Sequence, residues 1–314
     1  MTSPHPSLTE LQQSFADGRI SKDDFIAQAN LLHQSLWNYI PHLSRSEVRE
    51  IGLSRDGVQF LMGEEGVRLW ALEGESRAAP LEAMNFRAYE PQETLVMNVL
   101  AADARCILDI GANIGYHALR LAIREPQARV HAFEPLPSTM EILQRNVALN
   151  SLGDRVRVYN HGLSNMNGSC DFFIAPEHGV NASLMNVAGR PNAKRVVSTI
   201  LKLDEWTTNQ AAKPDYIKID VEGAELLVLQ GGQETLAEHR PRVFAELLRK
   251  WSAPFGYHPN DVLDLMSSLG YGCWGVGPMG VRRILEVTES TEETNYAFLH
   301  LTDHSKTIDL LASE

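Results

Sequence analysis

Three stretches of this chain combine residue types and spacing that could do chemistry. The first is ILDIGANIGYHA, residues 107–118. An apolar run carries Asp109 near its end, and Gly111 and Gly115 bracket a turn. Glycines there let the backbone turn sharply and approach a ligand closely. The helix expected next offers unpaired N–H groups to that ligand. The turn is not the GxGxxG of dinucleotide binding, because Asn113 stands where the second glycine would be. A bulkier, less charged ligand such as S-adenosylmethionine suits it better. Asp109 and the backbone after Gly111 would meet that ligand's amino and carboxylate groups.

The second stretch is HAFEPLP, residues 131–137. Glu134 ends an apolar run, at the spacing where an acid hydrogen-bonds ribose hydroxyls. A neutral adenosine without phosphates fits an acid at that point. The third is YIKIDVEGAELLVLQGG, residues 216–232. Asp220 ends a buried strand, and Glu222 and Glu225 follow. An acid in the first turn of a helix complements the dipole, which is the role expected of Glu225. Ligands of open α/β sheets bind outside the carboxyl ends of strands, so Asp220 and Glu222 point at the expected site.

The elements that must position these residues alternate. Strands are expected at 106–110, 129–133, 155–161, 215–220, 242–247, 271–276 and 295–301. Helices are expected at 114–124, 138–150, 223–238 and 259–269, with Ser138 and Glu141 as a capping box opening the second. Such alternation predicts an α/β fold, a doubly wound and mostly parallel sheet. Residues 162–203 break the rhythm with two extra strands, and the loop at 175–194 is long enough to cover a site. Ahead of the sheet, residues 8–39 read as two helices, the second opened by Ser21 and Asp24 and closed by Pro41. Its stripe of Phe25, Ala29, Leu32, Leu36 and Tyr39 is expected to pack on the main domain, a homodimer contact being the other reading. Residues 48–72 read as a small antiparallel meander, and 74–80 as a linker. The division expected is 1–85 for helices and meander and 86–314 for the main domain.

Composition excludes some partners. Asp and Glu number 40 against 28 Lys and Arg, a net charge of −12. An acidic surface repels phosphate backbones and anionic membranes, so neither nucleic acid nor membrane is the expected partner. Three scattered cysteines and no apolar run long enough to span a bilayer point to a cytoplasmic protein.

Taken together, DIGANIG, FEP, IKIDVEGAE and the later PRVFAEL resemble the successive hallmarks of the FkbM family of methyltransferases. The resemblance covers roughly residues 86–301. It implies the seven-strand methyltransferase sheet with a reversed last hairpin. It also implies methyl transfer from S-adenosylmethionine, usually to a hydroxyl. Cofactor contacts are implied at Asp109, Gly111, Asn113, Gly115 and Glu134. Asn146 and Asn150 match polar positions of the family without an assigned role. The acceptor expected is a small or medium hydroxylated molecule such as a sugar, a glycan or a polyketide-like metabolite. The alternatives are an N-methyltransferase, although no DPPY-type motif is present, and a methyltransferase-fold binding protein without activity. An NAD-type oxidoreductase is disfavoured by the missing GxGxxG.

An alcohol is a poor nucleophile at neutral pH, so transfer to it needs a base or a metal. The candidates are Asp220 and Glu222 at one strand end, Glu246 at the next, and His258 in the following loop. Asp220 and Glu246 on neighbouring strands would suit Mg²⁺. Without metal, His258 is the preferred base, its ordinary pKa lying near neutrality. The metal-free version is slightly favoured, with Asp220 and Glu222 orienting the acceptor.

Overall fold

The computed structural model describes residues 6–71, 77–174, 182–183 and 194–311. The N-terminal part holds helices α1 (Leu8–Ala16), α2 (Lys22–Asn38) and α3 (Ile40–Leu43), then strands β1 (Val48–Ser54), β2 (Gly57–Met62) and β3 (Val67–Trp70). Ser21 caps α2 by accepting from the Asp24 N–H. The three strands form the expected antiparallel meander. The stripe on α2 does not pack as expected. Phe25 stacks on Phe15 of α1 and Ala29 is buried, whereas Leu36 and Tyr39 of the stripe stay exposed. Helical spacing defines an apolar face, but not what covers it.

Two helices follow that sequence patterning did not reveal, α4 (Ala79–Phe86) and α5 (Pro91–Ala101). The expected linker therefore gives way to a helix whose start Pro80 suits, since its missing N–H is unpaired there anyway. Residues 72–76 of that linker lie outside the described residues.

The main sheet is built from β4 (Cys106–Ile110), α6 (Tyr116–Arg124), β5 (Arg129–Phe133), α7 (Pro137–Leu149) and β6 (Val156–Tyr159). A second small sheet follows, from β7 (Gly162–Ser164), β8 (Gly168–Ile174), β9 (Ala182–Ser183) and β10 (Lys194–Lys202). The expected covering loop falls almost wholly outside the described residues. Then come α8 (Leu203–Gln210), β11 (Tyr216–Ile219), α9 (Glu225–Gln230), α10 (Gln233–His239) and β12 (Arg242–Glu246). After α11 (Arg249–Ser252) and a short 3₁₀ turn come α12 (Pro259–Ser268), β13 (Tyr271–Gly277), β14 (Gly280–Ile284), β15 (Asn295–His300) and α13 (Ser305–Leu311).

Strand order is β14-β13-β15-β12-β11-β4-β5-β6. The pairs from β12 to β6 are parallel, and β15 runs antiparallel to both β12 and β13. This is the seven-strand sheet with its reversed hairpin, extended by β14 at one edge. Two expected details differ. Helix α7 opens on Pro137 with Leu136 at the cap and no side-chain cap bond, so Ser138 does not begin it. The helix expected at 223–238 breaks into α9 and α10 at Gly231–Gly232.

The chain leaves β4 toward β5 and β6, then returns to lay β11 on the other side of β4. Helices therefore diverge between β4 and β11, opening a crevice at their carboxyl ends. Apolar burial holds the strands there: Leu108, Ile110, Ile217 and Ile219 are all sealed from solvent. Among the described residues no helix is long and apolar enough to cross a membrane.

Candidate active site

A cavity of about 510 Å³ opens at that crevice. Gly111, Asn113, Ile114, Glu134, Lys218, Asp220, Glu222 and Glu246 line it, so most of the expected residues meet there. One wall is backbone. Gly111 follows β4 at φ +82°, and a Cβ on it would stand 1.8 Å from the Asp220 carbonyl oxygen. Only glycine fits so close an approach with that backbone. The Gly111 and Ala112 N–H groups both donate to the Phe133 carbonyl, tying the loop to β5. Gly115 caps α6 at φ +93°, and the first turn of the helix faces the cavity through Tyr116 and His117.

Glu134 lies at the carboxyl end of β5. Its carboxylate accepts the Asn113 N–H at 3.1 Å and the Leu136 N–H at 2.9 Å. Burial pushes its pKa up to about 7, the two N–H donors only partly offsetting that.

Asp109 is placed differently from the expectation. It is sealed beneath the loop, does not line the cavity, and among the described residues its oxygens have no partner within ordinary hydrogen-bond geometry. Its compensating charge is the Lys218 ammonium, 3.5 Å away. Lys218 rises from β11, donates to the Gly111 carbonyl at 3.3 Å and pairs with Asp220 at 3.2 Å. Burial works against that ammonium, but Asp220, Asp109 and Glu90 outweigh it and hold the charge firmly. Asp109 thus reaches the cavity only through Lys218. Sequence reasoning passed over Lys218, although a lone cation among buried isoleucines was the signal for a buried acid partner.

The other wall is carboxylate. Asp220 and Glu246 follow paired positions of β11 and β12. Glu222 sits at φ +56° in the loop beyond β11. Glu225 accepts the Val221 and Gly223 N–H groups and the Tyr257 hydroxyl, so it shapes that loop, a more specific role than the dipole alone. Burial, then repulsion from neighbouring acids, pushes Glu222 up to about 8 and Glu246 up to about 9. Neither Arg242 nor Arg249 neutralises Glu246; their guanidiniums donate to the Ala102 and Thr288 carbonyls. Lys250 and Trp251 of α11 close this end.

His258 does not reach the cavity. Its Nδ1 accepts the Asn260 N–H and its own N–H donates to Asp261, a capping box for α12. In sequence His258 is a candidate base in the loop after β12, because capping and catalytic histidines read alike there. The histidine that does line the cavity is His117, whose Nε2 stands 2.9 Å from Glu90. Among the described residues no group of three or more His, Cys, Asp or Glu side chains is arranged to hold a metal.

Asn146 and Asn150 acquire a role. Asn146 accepts the Trp70 N–H at 2.8 Å and donates to the Ile114 carbonyl at 2.8 Å. Asn150 accepts the Arg68 N–H and donates to the Arg68 carbonyl. The two amides complete the open edge of β3 and fasten the meander to α7 and the glycine loop.

The family model of the methyltransferase FkbM domain matches residues 109–273. Methyltransferase sdnD of Sordaria araneosa is 31% identical over 193 residues, 52% of this chain and 73% of that protein. The hexuronic acid methyltransferase AglP of Haloferax volcanii is 32% identical, over 51% of this chain and 60% of its own length. The 2-O-methyltransferase NoeI of Sinorhizobium fredii is 29% identical, over 46% of this chain and 64% of its own length. The chain thus spans less than two thirds of two of these three relatives.

Proposed function

The chain belongs to the FkbM methyltransferase family, and we propose that it methylates a hydroxyl of a small or medium molecule, with S-adenosylmethionine as donor. The acceptor class is a sugar, a glycan or a polyketide-like metabolite. The observation that carries this reading is the division of one cavity between a glycine-loop wall and a carboxylate wall. The names of NoeI and AglP, a 2-O-methyltransferase and a hexuronic acid methyltransferase, support hydroxylated, sugar-like acceptors.

The residues fit such a cofactor. The cavity volume lies in the range of ligand pockets. Gly111 lets the loop lie directly against the Asp220 backbone at the crevice, and the start of α6 offers N–H groups to a carboxylate. Glu134 faces the cavity where ribose hydroxyls would lie, and Asn113 and Gly115 shape the loop beside it. Once bound, the cofactor would supply an electrophilic methyl group on a sulfonium, whose carbon–sulfur bond breaks and leaves its electron pair on sulfur as a neutral thioether.

The protein's part is orientation and proton handling. Asp220, fixed by Lys218, accepts a hydrogen bond from the acceptor hydroxyl and sets its direction. The proton leaves the hydroxyl oxygen as the carbon–oxygen bond forms, and the Asp220, Glu222 and Glu246 cluster receives it. His258 has no part in this version, because it caps α12.

The test is to incubate the protein with S-adenosylmethionine and a panel of hydroxylated sugars and natural products, following S-adenosylhomocysteine release. The reading expects turnover on at least one hydroxyl and full activity in EDTA. Loss in EDTA with rescue by Mg²⁺ would replace the metal-free version by an Asp220 and Glu246 metal site. Methylation of DNA or RNA with none of the panel would defeat the acceptor assignment.

A further inference from the structure

Part of the cavity wall comes from neither the glycine loop nor the strand ends. Residues 86–90, from the last residue of α4 to the cap of α5, line it through Phe86, Ala88, Tyr89 and Glu90. Two of the five, Arg87 (φ +82°) and Glu90 (φ +47°), are left-handed without being glycine. Such backbone is costly for a residue with a Cβ and persists only where its surroundings hold it.

Glu47, just ahead of β1, is what holds it. Its N–H donates to the Arg87 carbonyl at 2.6 Å, and its Oε2 accepts the Tyr89 N–H at 2.9 Å. Its Oε1 accepts the hydroxyl of Tyr116, on the first turn of α6. One side chain therefore fixes the 86–90 strap to the helix whose N-terminus faces the cavity.

Glu90 occupies the cap position of α5 but makes no side-chain cap bond. Its carboxylate turns instead to Nε2 of His117, which is only 6% exposed. Glu90 thus stands beside the start of α6, between the glycine loop and the carboxylate wall. Burial raises its pKa, but the His117 hydrogen bond and the Lys218 charge outweigh that and hold it below the usual carboxylate range. Glu134, Glu222 and Glu246 are shifted the other way.

If the start of α6 takes the carboxylate of a bound methionine portion, an ionised acid beside that helix is needed for its ammonium. Asp109 is sealed beneath the loop, Glu134 lies toward the ribose, and Asp220 is paired with Lys218. We propose that Glu90 receives the ammonium of the cofactor's methionine portion, and that Glu47 positions it. This rests on S-adenosylmethionine being the cofactor.

The test is calorimetric titration of wild type, Glu90→Gln and Glu47→Gln with three ligands. S-adenosylmethionine and S-adenosylhomocysteine carry the amino-acid portion; 5′-methylthioadenosine keeps the thioether nucleoside and lacks it. Glu90→Gln is expected to weaken the first two at least tenfold and to leave methylthioadenosine within twofold. Glu47→Gln is expected to show the same selectivity with at least a threefold loss. Unchanged binding of the first two by Glu90→Gln would overturn the assignment, as would equal loss for all three. Unchanged binding by Glu47→Gln would overturn the positioning role. Should Glu90→Gln fail to fold, Glu90→Asp, which withdraws the charge by one methylene, must show the same selective loss. A wild-type protein that binds methylthioadenosine but neither amino-acid ligand would refute the proposal while keeping the nucleoside site. Binding none of the three would refute the cofactor reading itself.

Discussion

The β4–β5 end of the cavity is built on a glycine turn tied to the backbone of β5, and the β11–β12 end on a cluster of acidic side chains. Gly111, Ala112 and the start of α6 form the first end, anchored by hydrogen bonds to the Phe133 carbonyl and to Glu134. Asp220, Glu222, Glu246, Lys250 and Trp251 form the second. A backbone wall is stiff and suits a ligand that does not vary. A wall of side chains changes by substitution without disturbing the sheet. The two ends should therefore respond differently to mutation.

The largest effect is expected at the backbone end. Gly111→Ala puts a Cβ 1.8 Å from the Asp220 carbonyl oxygen, at a φ that alanine resists. Differential scanning should show a fall of more than about 5 °C in Tm, with cofactor affinity lost. A variant of wild-type stability and affinity would erase the contrast. At the side-chain end, Asp220→Asn is expected to lower turnover at least about tenfold while cofactor affinity stays within twofold. Normal turnover would place the chemistry at another strand end.

The buried glutamates should also reverse the usual pH trend. Burial raises Glu134 and Glu225 to about 7, Glu222 to about 8 and Glu246 to about 9. A carboxyl raised above its unfolded value favours folding while it is protonated. That contribution is complete below the unfolded pKa and is lost as pH climbs through the folded one. Tm of the ligand-free protein should therefore decline between about pH 5 and pH 9. A Glu222→Gln/Glu246→Gln variant should show a flatter profile, and an unchanged slope would mean that those two groups do not carry it. The smallest effect on activity is expected from His258→Ala. It removes an N-cap, about 1 kcal/mol in urea denaturation, and leaves turnover intact. A tenfold loss of turnover would return His258 to the mechanism.

The same contrast explains what was legible in the sequence. The glycine loop, Glu134 and Asp220 could be read because local backbone demands fix them: a strand end, a tight turn, a helix start. The alternation of strands gave the sheet for the same reason. Glu90, His117, Lys250 and Trp251 were not legible, since contacts distant in sequence bring them to the cavity. Glu90 and His117 are 27 residues apart, and Glu47 reaches Tyr116 across 69. Asp109 was read correctly as a strand-end acid, yet its depth depends on Lys218, one strand away. The exposed face of α2 and the helices α4 and α5 show the same limit, because periodicity cannot report what lies opposite.

The most direct measurement is calorimetric titration of S-adenosylmethionine into wild type and Glu134→Ala side by side. The account predicts one site per chain in wild type. It predicts that Glu134→Ala weakens it by about 1–3 kcal/mol, through lost ribose hydrogen bonds. Binding of equal strength by both proteins would contradict it.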